Sequence, residues 1–208
     1  MRSHILPGEI FYCYEKEFLY MKEFLKRYSY SAVHLFLVQI AIGMFGATLA
    51  LAAGLADNFA LRTGTSVFAI VFFLFLQFSA AWRVGAEDRL SADLGKGRKD
   101  FWVPVKIWLL ANSLNFLLAL LLSLSIWTDV PAFEVLGSIA VWVKFFVEGM
   151  YTGLLAVKVG GAPLNSYWFM HFITTLPSLV VVCAAYFCGT NNINFNGWFS
   201  PNAPTGKR

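Results

Sequence analysis

A lysine and a glutamate four residues apart, Lys144 and Glu148, stand in an otherwise apolar stretch of this 208-residue chain. Measured from the flanking charges Glu134 and Lys158, each lies about ten residues, on the order of 15 Å of helix, from its nearer end. The spacing of four puts both groups on one helix face, where ammonium and carboxylate can pair. An isolated charge at that depth in hydrocarbon costs at least about 2.5–3.5 kcal/mol, so the pair calls for polar company. Other apolar segments offer it: His34 and Gln39, Gln77, Asn112 and Asn115, and His171 with Thr174. One expectation is a shared polar site opening toward the cytoplasm, taking a proton, an ion or a small polar substrate, with Glu148 as the titrating group. The opposing expectation is interhelical glue, in which these side chains lock the bundle together. His34 and His171, near the ends of their segments, are expected at the membrane interface rather than as ligands.

These groups need elements to carry them, and composition indicates which kind. The chain is 58% apolar and 13% charged, with a mean hydropathy of +0.63. Soluble domains carry about 25% charged residues. Five charge-poor segments, near 31–56, 65–82, 105–127, 134–158 and 167–189, approach the roughly 20 residues that cross a bilayer. In hydrocarbon a helix satisfies its own peptide groups. The expected fold is therefore all-α, a polytopic transmembrane helical bundle of about five spans over 31–189, kinked at Pro177. Residues 1–30 precede it. There Phe11, Tyr14, Phe18, Met21, Leu25 and Tyr28 recur every three or four positions among charges, the pattern of an amphipathic interfacial helix. Residues 190–208, rich in Asn, Gly and Pro, read as a polar irregular tail.

Charge sets the orientation. Basic residues crowd the N-terminal segment and the loop between the second and third segments, whereas Arg62 alone falls in the loops near 57–63 and 128–134. By the positive-inside rule the N-terminus is cytoplasmic, in a plasma-membrane protein, and five spans put the tail outside. The net charge of +4 is explained the same way, without nucleic acid. Within the basic loop, Lys96, Arg98 and Lys99 are candidate contacts for anionic lipid headgroups, and Arg83 and Glu87 are spaced to pair. Gly46, Ala50 and Gly54, with Gly43 and Ala47, and the pair Gly149 and Gly153, form small-residue faces suited to close helix packing inside the fold or in a homo-oligomer.

Several chemistries find no carrier. Cys13, Cys183 and Cys188 show neither CxxC spacing nor a matching histidine pattern. The GKGRK run lacks the GxxxxGK[ST] of a phosphate loop, and HExxH and GxSxG are absent. No cofactor and no enzymatic activity are expected. Gly85, Asp88, Gly95 and Asp100 between two apolar segments, with the glycine of Tyr186-Phe187-Cys188-Gly189 closing the last, resemble a group of multispan membrane proteins from Gram-positive bacteria. That resemblance implies a bacterial source and a membrane bundle, and no mechanism. Two functional classes remain: a transporter or transporter subunit using the Lys144–Glu148 patch, and a non-catalytic membrane component that anchors or regulates a partner membrane complex. The chain's partners are then the lipid bilayer and either a second copy or another membrane protein.

Overall fold

The computed structural model describes residues 7–56, 58–96, 100–128 and 130–193, with side chains from Phe18 onward. Helix α1 runs unbroken over Pro7–Leu55, about 73 Å at 1.5 Å per residue. The amphipathic segment and the first span, expected as two elements, are thus one helix. Its buried face is Phe24, Tyr28, Ala32, Leu35 and Gln39, in phase with the buried Ile42 and Ala47 further along. Phe18, Met21 and Leu25 of the expected stripe continue that phase, at seven- and fourteen-residue steps before Ala32 and Tyr28, yet are exposed, and only Tyr28 of that stripe is in the described core. Phe11 and Tyr14 lie outside the described side chains.

Helix α2, Phe59–Asp93, begins at Asn58, whose side chain accepts the Leu61 amide at 3.1 Å, and continues well past Trp82. Helices α3, Val103–Ala111, and α4, Ser113–Trp127, meet at Asn112 with a 55° bend. The Asn112 amide donates to the Trp108 carbonyl at 3.0 Å, so a side chain intrudes on the helical ladder where the third span was expected to run straight. Helix α5, Pro131–Val147, stops at Glu148, and a 3-10 turn over Gly149–Tyr151 leads into the short α6, Thr152–Leu155. The straight helix expected over 134–158 is therefore broken at its own buried carboxylate. Strands β1, Lys158–Val159, and β2, Ala162–Pro163, make a small antiparallel hairpin, turned by Gly160 and Gly161 at φ +64° and +88°. Helices α7, Met170–Ile173, and α8, Leu176–Thr190, follow. Pro177 sits in the first turn of α8, and its missing N–H leaves Ile173 without an i+4 donor, so the break falls at Thr174–Thr175 rather than at the proline.

Three helices, Phe18–Leu55, Phe59–Asp93 and Met170–Thr190, are long and apolar enough to cross a membrane, or four if the bent α3–α4 pair is one span. The expected span over 134–158 is the one missing from these, because it needed a continuous helix through Glu148 and α5 ends there. Helix α2 packs between α1 and α8, α1 also meets α3 and α5, and α4 packs on α5. Leu37, Val71, Leu120, Val141, Trp142 and Val180 all point outward. Soluble monomers rarely expose apolar surface on that scale, and hydrocarbon-facing helices require it. The chain is a helical membrane protein.

Candidate functional site: a polar layer at the helix breaks

The breaks bring polar side chains together. Lys144 and Glu148 are 6% and 4% exposed and form an ion pair at 2.9 Å across one turn. The break between α7 and α8 serves both of them. The Thr175 amide bonds the Phe172 carbonyl at 3.2 Å, one residue short of the α-helical partner, His171. The freed His171 carbonyl accepts from the Thr174 hydroxyl at 3.2 Å and from the Lys144 ammonium at 3.4 Å. That same Thr174 hydroxyl lies 3.1 Å from Glu148 Oε2. Helix dipoles reinforce the arrangement. Lys144 occupies the last turn of α5, beside the negative helix end, and Glu148 meets the threonine preceding the N-cap of α8, beside a positive one. Such half-helix ends at membrane depth are a device for holding ions and charged groups where no water reaches.

The other candidates group around this centre without joining it in one network. Asn115 donates to Asn112 at 2.9 Å at the α3–α4 bend. The Phe116 ring beside Asn115 stacks on Phe172 at 6.4 Å, next to His171. Gln77 accepts from Ser178 at 2.7 Å, one turn beyond Thr174. Gln39, 3% exposed, lies one turn before Gly43, which faces the carbonyls of Phe146 and Val147. Together they form one polar layer of the bundle, linked through these neighbouring contacts. Among the described residues no side-chain hydrogen bond links the lysine–glutamate, asparagine and glutamine groups to one another. The layer also holds buried atoms without a hydrogen-bond partner among the described residues: Gln39 Oε1, Gln77 Nε2, Asn115 Oδ1, Glu148 Oε1, Tyr151 OH and His171 Nδ1. His171 is 8% exposed inside this layer, where the sequence pointed to an interface.

The small-residue faces are packing devices within the fold. A Cβ on Gly149 would lie 2.6 Å from that of Ala47, and one on Gly46 would press on the backbone of Met150. Gly153 donates its amide to Ser66 Oγ at 2.9 Å. Ala50 is buried as expected. Gly54 is a correction: it is exposed, and a Cβ added there would meet nothing within 4 Å, because the covered side of α1 at that level is taken by Ala53, 3% exposed. Lys96 is exposed, and Arg98 and Lys99 lie outside the described residues.

A second polar centre was missed from sequence. Asp88, 3% exposed, accepts from Arg27 at 2.6 Å, from the Tyr28 hydroxyl at 2.9 and 3.0 Å, and from the Tyr186 hydroxyl at 2.7 Å, tying α1, α2 and α8 into one clamp. Gly85 and Gly189 allow it, because the α2 and α8 backbones touch there, with Gly85 against Tyr186 and Gly189 against Trp82 and Ala86. The expected Arg83–Glu87 pair does not form; Arg27 on the neighbouring helix meets a carboxylate instead. A signal was present: Gln77, Ala81, Gly85 and Asp88 repeat at helical spacing and share the buried face of α2. Nearby, Lys106 and Tyr20 donate to Tyr20 and Asp100 respectively at 3.0 Å, and Trp82 Nε1 donates to the Ile193 carbonyl at 3.1 Å.

Among the described residues no three His, Cys, Asp or Glu side chains are grouped to hold a metal ion. No protein-family model matches the chain, and neither does any curated protein or solved structure, so its chemistry has to be read from the polar layer itself.

Proposed function

We propose that this protein moves a proton or a small polar solute across the cell membrane, using the layer centred on Lys144 and Glu148. The observation that carries the reading is an ion pair buried to 6% and 4% at the meeting point of interrupted helices, with Glu148 Oε1 still unpartnered among the described residues. Structural glue has no need of unsatisfied capacity, which costs about 1–3 kcal/mol per buried group. A site that exchanges a proton or a ligand does need it. Glu148 is the exchanging group, Lys144 its counter-charge, and Thr174 and the His171 carbonyl position them. The N-terminus is cytoplasmic, on the side rich in lysine and arginine. The test is proton flux into proteoliposomes carrying an entrapped pH dye, driven by an imposed membrane potential. The expected result is flux with the natural protein and none with Glu148→Gln; equal flux in both contradicts the reading.

A second reading, a membrane component that assembles with a partner, is favoured by one observation. Phe18, Leu19 and Met21 are 68%, 55% and 59% exposed on the N-terminal part of α1, beyond the core of the bundle. Cross-linking from these positions to a second polypeptide, with no flux in the assay above, would favour it.

A further inference from the structure

We infer that residues 131–163 form a re-entrant hairpin, entering and leaving the bilayer by the outer face, with Lys144 and Glu148 at its tip. The inference deepens the reading of the site given above and rests on it for the site's role, but its geometry stands separately. The direction of each element follows from its contacts. Helix α4 rises away from the cytoplasmic end: Phe101 meets Phe187, Phe116 meets Phe172, and Trp127 meets Trp168. Helix α5 then descends against α4, with Gly137 beside Ser125 and Ala140 clustered with Leu118 and Leu122.

At Glu148 the descent stops. Gly149 lies against Gly43 and Ala47, Met150 against Gly46, and by Gly153 the chain is beside Arg62 and Ser66, in the first two turns of α2. The partners on α1 climb toward Leu55 as the chain advances, so the segment after Glu148 returns the way it came. Gly43 is twelve residues before Leu55, about 18 Å of helix, which places the tip near the middle of a hydrocarbon layer of about 30 Å. Non-helical backbone is tolerated there only when protein covers it. Val147, Met150 and Tyr151 are 4%, 0% and 4% exposed, and the glycines of α1 provide the room.

The last span then fixes the parity. Gln77 bonds Ser178 and Asp88 bonds Tyr186, so α8 runs parallel to α2 and ends at the end of the molecule where α2 ends. The crossings are α1, α2, the bent α3–α4 pair and α7–α8. The beginning of α1 and the end of α8 therefore share the cytoplasmic side, where five spans would have separated them. The Lys144–Glu148 pair reaches its depth from outside, while the Asp88 clamp and the apolar cluster of Leu35, Ile107 and Val182 close the bundle toward the cytoplasm.

Single cysteines in a background with Cys13, Cys183 and Cys188 replaced by serine test this with a membrane-impermeant thiol reagent. Val130→Cys and Val159→Cys flank the hairpin, and Ile193→Cys follows α8; these three side chains are 46%, 53% and 48% exposed. Val130→Cys and Val159→Cys are expected to label in intact cells, and Ile193→Cys only after permeabilisation. Labelling of Val159→Cys only after permeabilisation, with Val130→Cys labelled in intact cells, overturns the hairpin in favour of a full crossing. Labelling of Ile193→Cys in intact cells overturns the shared side of the two ends. A phosphatase fused after Ile193 gives an independent reading: it should be inactive, and activity there has the same consequence. None of these readouts requires transport, so a failed flux assay and a failed topology are separable results.

Discussion

Replacing Asp88 by alanine should destabilise the bundle severely, and the size of the loss follows from what the carboxylate leaves behind. Tyr28 and Tyr186 are 7% and 2% exposed, so each hydroxyl loses its acceptor in a place water does not easily reach. An orphaned buried donor costs about 1–3 kcal/mol. Arg27 behaves differently: its side chain is 40% exposed, so the freed guanidinium rehydrates and its share is about 0–1 kcal/mol. The sum is about 2–7 kcal/mol, with roughly 4 as a central value. Arg27→Gln alone should therefore cost far less than Asp88→Ala, although both break the same ion pair. Adding Tyr186→Phe to Asp88→Ala removes one orphan and should restore about 1–2 kcal/mol, a non-additivity that marks direct contact. The assay is reversible unfolding in mixed micelles, comparing these variants with the natural protein. A loss under about 1 kcal/mol for Asp88→Ala, or strictly additive losses in the double variant, refutes the clamp.

Other consequences can be measured in the same way. Lys144→Met and Glu148→Gln should each cost about 3–5 kcal/mol, whereas the joint replacement should cost much less because no buried charge is left alone; thermal unfolding of the three variants checks this. Gly46→Val should cost about 1–3 kcal/mol or more by forcing α1 away from Met150, while Gly54→Val at the exposed end should stay within about 0.5 kcal/mol. Gly85→Ala should loosen α2 from α8, since its Cβ would lie 3.0 Å from the Tyr186 carbonyl carbon, and hydrogen exchange of α8 amides should rise as a result. Ser66→Ala orphans the Gly153 amide and should cost about 1–3 kcal/mol, read as a lower unfolding midpoint.

The helical membrane class was legible because it depends on bulk composition and run length, properties that do not change on folding. The candidate site was legible for a related reason: Lys144 and Glu148 are costly in hydrocarbon wherever they sit, so they stand out before any contact is known. What escaped the sequence was direction. A run of apolar residues carries no mark that distinguishes a helix passing through from one that turns back, and Glu148 followed by Gly149 is the only local sign of the reversal. The Asp88 clamp escaped because its three partners are 60, 61 and 98 residues away, and the nearer Arg83–Glu87 spacing offered a local alternative. Helix ends were misplaced wherever a side chain competed with the backbone, as at Asn112, or where a proline acted upstream of itself, as at Pro177. The long α1 was divided in two because its charges stop near Tyr30, although helix geometry takes no notice of that change.

The decisive measurement uses the joint variant Lys144→Met with Glu148→Gln, because it removes both charges without leaving either exposed to hydrocarbon. Its unfolding midpoint and its proton flux in proteoliposomes are to be taken from one preparation. A working site predicts a well-folded protein that no longer conducts. A folded protein that conducts as the natural one does would make the pair mere packing, and the proposed role for the polar layer would be wrong.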